Sequence, residues 1–121
     1  MNIFLDSSSL INKIRSKEHF DSNNNYLINP IVYTEVLYGV LYLKKTEKSL
    51  GEFLAKNNVG MVKVGKKTAS IYTKAKLDLN KKGTPIADND LLIAASCLEY
   101  GLTLETLNLK HFKRVPKLKI K

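Results

Sequence analysis

Apolar positions along this chain fall in short unbroken runs separated by longer stretches with helical spacing. Asn2 to Leu5 is an apolar run stopped by Asp6, which predicts a buried strand. Ser7 to Lys17 carries Leu10, Ile11 and Ile14 at helical spacing behind a hydroxyl-rich start suited to capping. Residues 26–28 predict a short strand. Asn29-Pro30 opens a long helix to about Leu43, with Pro30 in its first turn, and a further helix is expected over 46–56. Val59 to Val64 reads as a strand, and Lys66 to Lys81 as a helix ended by Gly83 and Pro85. Asp88 to Tyr100 predicts a helix closed by Gly101. A strand over 102–106, a turn over 108–112 and an edge strand over 118–121 complete the pattern. Strands alternating with helices predict an α/β fold, three layers deep, with a central, mainly parallel sheet flanked by helices. No repeat or linker divides the chain, so residues 1–121 are expected to form a single domain.

Charge adds a partner to this picture. The 20 Lys+Arg against 11 Asp+Glu leave a formal net charge of +9, which favours a polyanion, since neutralised phosphates release condensed counterions. The Lys- and Asn-rich composition of an AT-rich source is the bland alternative. No apolar stretch is long enough to span a bilayer, and Met1 to Asp6 lacks the basic start of a signal peptide, so no membrane is implied and the cytoplasm is the expected address. The lone Cys97 sits in an apolar run and reads as a buried, inert thiol. His19 and His111 are isolated and read as surface or packing residues.

The candidate chemistry lies in where the acids fall. Asp6 ends a buried strand, and ligands of open α/β sheets collect beyond the carboxyl ends of strands; helix capping is the competing explanation. Glu35 interrupts, with Thr34 and Gly39, an otherwise apolar helix that should be largely enclosed. Gly39, one turn on, removes a side chain beside it, although a narrow wet stripe would also account for Thr34 and Glu35. Asp88 and Asp90 open a helix whose dipole favours acids; this explains Asp88 better than Asp90, after which Leu91-Leu92-Ile93 packs at once. Asn108 follows the strand ending at Thr106. Carboxylates converging at one sheet edge repel one another. A hard divalent cation relieves that repulsion, and oxygen-only ligands point to Mg²⁺ or Mn²⁺.

The chain resembles the PIN-domain ribonucleases, especially VapC-type toxins, over nearly its full length. The resemblance is carried by Phe4-Leu5-Asp6-Ser7-Ser8-Ser9-Leu10-Ile11 and by Tyr33-Thr34-Glu35-Val36-Leu37-Tyr38-Gly39. It continues in Ile86-Ala87-Asp88-Asn89-Asp90-Leu91-Leu92-Ile93-Ala94-Ala95 and in Gly101-Leu102-Thr103-Leu104-Glu105-Thr106-Leu107-Asn108, with Phe112 and Val115 beyond. It implies a PIN-like fold and metal-dependent endoribonuclease activity. Asp6, Glu35 and Asp90 stand at the three core acidic positions, Asp88 at a neighbouring one, and Asn108 where Asp or Asn is common. Ser7 and Thr106 stand where hydroxyls support the site. Asp6, Asp90, Glu35 and Asp88 are thus the implied metal ligands. The chain departs from the pattern at Ser7-Ser8, where Thr-Asn is usual, and at Glu105 and Leu107. Strand alternation sends Glu105 away from Thr106, so it stays outside the expected site.

The resemblance further implies an RNA substrate, single-stranded or looped, such as tRNA or another structured RNA. It implies a cognate antitoxin whose tail blocks the site, and a homodimer, expected through the apolar surface of Tyr38, Leu41 and Tyr42. Lys13, Lys110, Lys113 and Arg114 are candidate contacts to the RNA backbone. A catalytically weak PIN-like module that binds RNA or protein is the alternative, favoured by the departures at Ser8, Glu105 and Asn108. A phosphoacceptor domain would need an Asp ending the third strand, where Val64-Gly65 stands.

Overall fold

The computed structural model describes residues 1–121. Four strands and six helices follow in the order β1 (Asn2–Leu5), α1 (Ser7–Ser16), β2 (Asn25–Ile28), α2 (Pro30–Tyr42), α3 (Glu47–Lys56), β3 (Val59–Met61), α4 (Lys66–Lys81), α5 (Asp88–Tyr100), β4 (Thr103–Glu105) and α6 (Leu109–Phe112). The sheet is wholly parallel, in the order β3-β2-β1-β4. Parallel strands need crossover connections, and α1, the α2–α3 pair and the α4–α5 pair supply them.

β1 is interior because nothing in it needs water: Ile3, Phe4 and Leu5 are fully buried. It pairs with β2 through Ile3↔Tyr26 and Phe4↔Leu27, and with β4 through Phe4↔Leu104 and Leu5↔Glu105. Two register facts follow that matter for function. β1 and β4 end side by side, so Asp6 and Thr106 emerge together. The first turn of α1 begins at the same edge. One core cluster, including Phe4, Leu10, Ile28, Val32, Leu91, Leu104 and Phe112, fills the space between sheet and helices.

Local signals set most boundaries. Asp6 caps α1, Asn29 caps α2 ahead of Pro30, and Thr46 caps α3. Gly101 closes α5 with φ of 65°, a left-handed conformation that glycine adopts without strain. Three expectations need correction. The strand at 59–64 is three residues long, because Val62 is the last to bond β2 and the chain then leaves the sheet. The segment 118–121 makes a single bridge, Leu104↔Ile120, rather than a strand. The turn at 108–112 winds into the short helix α6.

α2 differs most from its sequence. Its apolar run predicts an enclosed helix, yet only Val32 and Val36 are buried, while Tyr38, Leu41 and Tyr42 face solvent. The helix lies against α1, α3 and α5, and these do not cover its far side. The Tyr38 and Tyr42 rings stack there at 6.3 Å. A Cβ on Gly39 would meet nothing within 4 Å, so that glycine is not needed to make room for Glu35. No helix is long and apolar enough to cross a membrane.

Candidate active site

Asp6 is the fixed point of the site. Its carboxylate is buried, yet it has no cationic partner; it is held by neutral donors instead. Ser9 N–H at 2.9 Å and Ser8 Oγ at 2.8 Å donate to Oδ1, and Thr106 Oγ1 donates to Oδ2. Three neutral donors from two separate elements fix the orientation of this carboxylate. The donors are themselves held: Ser8 Oγ accepts from Leu107 N–H at 3.1 Å, and Thr106 Oγ1 accepts from Asn108 N–H at 2.9 Å. Ser8, where the family pattern carries Asn, thus joins α1 to the chain beyond β4.

Glu35 enters from α2. Ser7 Oγ donates to its Oε1 at 2.5 Å, and Asn89 Nδ2 reaches Oε2 at 3.4 Å. α2 is set against α5 by Asn29, fully buried at the end of β2. Its Oδ1 caps Val32 N–H at 3.0 Å and its Nδ2 donates to Ser96 Oγ at 2.9 Å. That link sets Glu35 opposite the start of α5.

Asp90 completes the group. Burial, then the negative charges of Glu35 and Asp6, hold its carboxyl above the usual carboxylate range, and His111 draws it partly back. Three acids from β1's end, α2 and α5 therefore share one electrostatic environment. They gather without closing into a ready cage: no three acid, His or Cys side chains meet on one point as they stand. The donor set nonetheless fits a hard divalent cation, because its atoms are all oxygens and the repulsion felt at Asp90 is what a cation would relieve.

The remaining expected residues divide. Ser7 and Thr106 lie in the site, holding Glu35 and Asp6. Asn108 is at its mouth, exposed, bonded through its backbone rather than its side chain. Asp88 points away: its Oδ1 accepts from Tyr72 Oη at 2.7 Å and from Lys76 Nζ at 3.0 Å, contacts that hold its carboxyl below the ordinary value. As placed, Asp88 faces α4 and not the acid cluster, because it and Asp90 are two residues apart on α5 and so face different sides. Lys13 is likewise unavailable to RNA, being buried and paired with Glu105. His111, read from sequence as a surface or packing residue, sits with Nδ1 3.7 Å from Asp90 Oδ2; only the folding of 108–112 into α6 brings it there. Asn29 and Asn89 carry no sequence signal beyond capping propensity, and Ser8, legible only as a departure from the family pattern, is a donor to Asp6. Cys97 is buried, and burial pushes its thiol far up, as expected of an inert cysteine.

The fold has counterparts. Ribonuclease VapC of Rickettsia bellii (strain RML369-C) is 35% identical over 128 residues, covering 99% of this chain and 95% of that protein. The structure of VapBC2 from Rickettsia felis, bound to a DNA fragment from their promoter, superposes with a TM-score of 0.83 at 30% identity, covering 100% of this chain and 98% of that one. VapBC-1 from nontypeable Haemophilus influenzae gives a TM-score of 0.84 at 26% identity, covering 100% and 97%. The PIN-domain family model matches residues 3–118. Acids spaced from Asp6 to Asp90, gathered at the carboxyl edge of a parallel sheet in a chain so matched, mark a member of the PIN-domain family.

Proposed function

We propose that this protein is a divalent-metal-dependent endoribonuclease, the toxin half of a VapBC-type pair that inhibits translation by cutting RNA. The observation that carries this reading is the shared environment of Asp6, Glu35 and Asp90, three carboxylates with no lysine or arginine to neutralise them.

Asp6 and Asp90 would be the principal ligands of Mg²⁺ or Mn²⁺, with Glu35 completing the shell directly or through water. When bound, such a cation supplies Lewis-acid activation of water and neutralises charge on the phosphoryl group. The chain's own contribution is orientation. Ser8, Ser9 and Thr106 keep Asp6 aimed, while Ser7 and Asn89 hold Glu35. Lys110, Lys113 and Arg114 lie on and just after α6, beside the site, and would draw the RNA backbone to the rim. Asn108 would meet substrate at the mouth. Asp88 would join the ligands only by leaving Tyr72 and Lys76.

The antitoxin-bound state of the solved relatives supports a cognate antitoxin here, and the exposed Tyr38, Leu41 and Tyr42 support a homodimer through α2. The cytoplasm, where RNA is met, is the compartment that fits. The test is cleavage of a tRNA and of an unstructured RNA by the purified chain, with Mg²⁺ or Mn²⁺ and with chelator. Metal-dependent endonucleolytic products that Asp6→Asn abolishes are expected. RNA bound but intact with either metal would leave the binding-module reading, and cleavage undiminished in Asp6→Asn would overturn the role given to Asp6.

A further inference from the structure

A second charged group lies behind the acid cluster, and the nuclease chemistry does not use it. Lys13, midway along α1, has a side chain only 8% exposed. Its Nζ stands 3.3 Å from Glu105 Oε2 and 3.8 Å from Glu18 Oε2, and 5.1 and 5.6 Å from the ring centroids of Phe20 and Tyr26. The other oxygen of Glu105 accepts from Lys121 Nζ at 3.0 Å. Lys13, Glu18, Glu105 and Lys121 line a cleft of about 400 Å³ that also receives Ser9, whose Oγ is buried without a partner.

Burying charge is expensive, and a well-packed apolar pair in the same volume is often as stable or more so. What an ion pair adds is direction. Lys13 and Glu105 sit on the two elements whose ends hold Asp6. α1 starts with Ser8 and Ser9, the donors to Oδ1, and β4 runs into Thr106, the donor to Oδ2. The carbonyl of Glu105 also accepts Asp6 N–H at 3.3 Å. Side chains alternate along a strand, so Glu105 faces α1 while Thr106, its neighbour, faces the site.

We infer that Lys13 and Glu105 are positioning residues for Asp6: their pair locks α1 in one register against β4, so that Ser8, Ser9 and Thr106 close on a single carboxylate. Without it, α1 remains packed through Leu10 but is free to shift along β4, and the two halves of the Asp6 cradle part. The effect on turnover rests on the ribonuclease reading; the geometric claim does not.

Amide exchange in the ¹⁵N-labelled full chain tests the geometry without RNA. The N–H groups of Ser9, Leu107 and Asn108 are bonded within the cradle and report on it directly. Lys13→Met removes the charge but leaves Glu105 with Lys121; Lys13→Met/Glu105→Leu replaces the pair by apolar side chains; Glu105→Gln keeps an acceptor for Lys13. In the first two variants these three amides should exchange at least about tenfold faster, with Leu50 and Leu54 of α3 unchanged. Glu105→Gln should stay near wild type, and Mn²⁺ affinity by calorimetry should fall only in the first two. Should Lys13→Met not fold, the double variant, which leaves no unpaired buried charge, carries the same comparison. Wild-type protection of the three amides in the folded double variant, or acceleration spread evenly into α3, overturns the inference. A wild-type chain inactive on RNA would count against the nuclease and leave this result standing.

Discussion

Asp88 and Asp90 stand two residues apart at the start of one helix, and the fold treats them oppositely. Asp88 is 60% exposed, satisfied by Tyr72 and Lys76, and its carboxyl is held low. Asp90 is 23% exposed, faces Glu35 and Asp6, and its carboxyl is held high. Both are compatible with a helix N-terminus, so the dipole does not distinguish them. The difference is what each faces across the helix. A protein that keeps an acid among acids gives up stability there, and such a sacrifice marks function more reliably than the acid's mere presence.

The sharpest way to break this contrast is to neutralise each acid in turn. Asp90→Asn should lower RNA cleavage on the order of 10³-fold, while raising Tm by about 3 °C because a repelled charge is gone; initial rates and thermal unfolding check the two halves. A carboxyl whose folded pKa is raised binds its proton more readily folded than unfolded. Its stabilisation is therefore full below the ordinary carboxylate range and is lost as pH rises through the raised value. The Tm difference between Asp90→Asn and wild type should accordingly vanish in acid.

Thr106→Val leaves both acids in place but removes a donor to Asp6. It should reduce turnover by about 10- to 100-fold, as losing an orienting partner of a ligand does, with KM little changed. Asp88→Asn should alter cleavage by less than about threefold, since only an exposed pair is lost. A large loss would show instead that Asp88 leaves Tyr72 and Lys76 during the reaction. The smallest change is spectroscopic. In ¹³C titrations of the carboxyl carbons, Glu35→Gln should move the Asp90 midpoint down toward the ordinary range, and Mg²⁺ should do the same to wild type.

Much of this was open to reading in the residues themselves. Asp6 after Ile3-Phe4-Leu5 announces a strand end, and helix periodicity with Asn29-Pro30 and Gly101 gives α2 and α5 their limits. Strand alternation turns Glu105 to the face opposite Thr106, and there it meets Lys13. Other features were hidden for physical reasons. A lysine on a helix is ordinarily solvated, so the burial of Lys13 depends on Glu105 more than ninety positions away. Helix spacing says that Asp88 and Asp90 face different sides but not which side is inward. α2 reads as enclosed because its composition reports apolarity, not the number of elements available to cover it. His111 reaches Asp90 only because 108–112 coils rather than turns.

The strand order bears on how such a protein can be made at all. β1 is synthesised well before β4, which runs into Thr106 and completes the grip on Asp6. A growing chain can therefore bury much of its core while its acids remain unassembled. The two halves of the Asp6 cradle come together only once the β4 segment has been made.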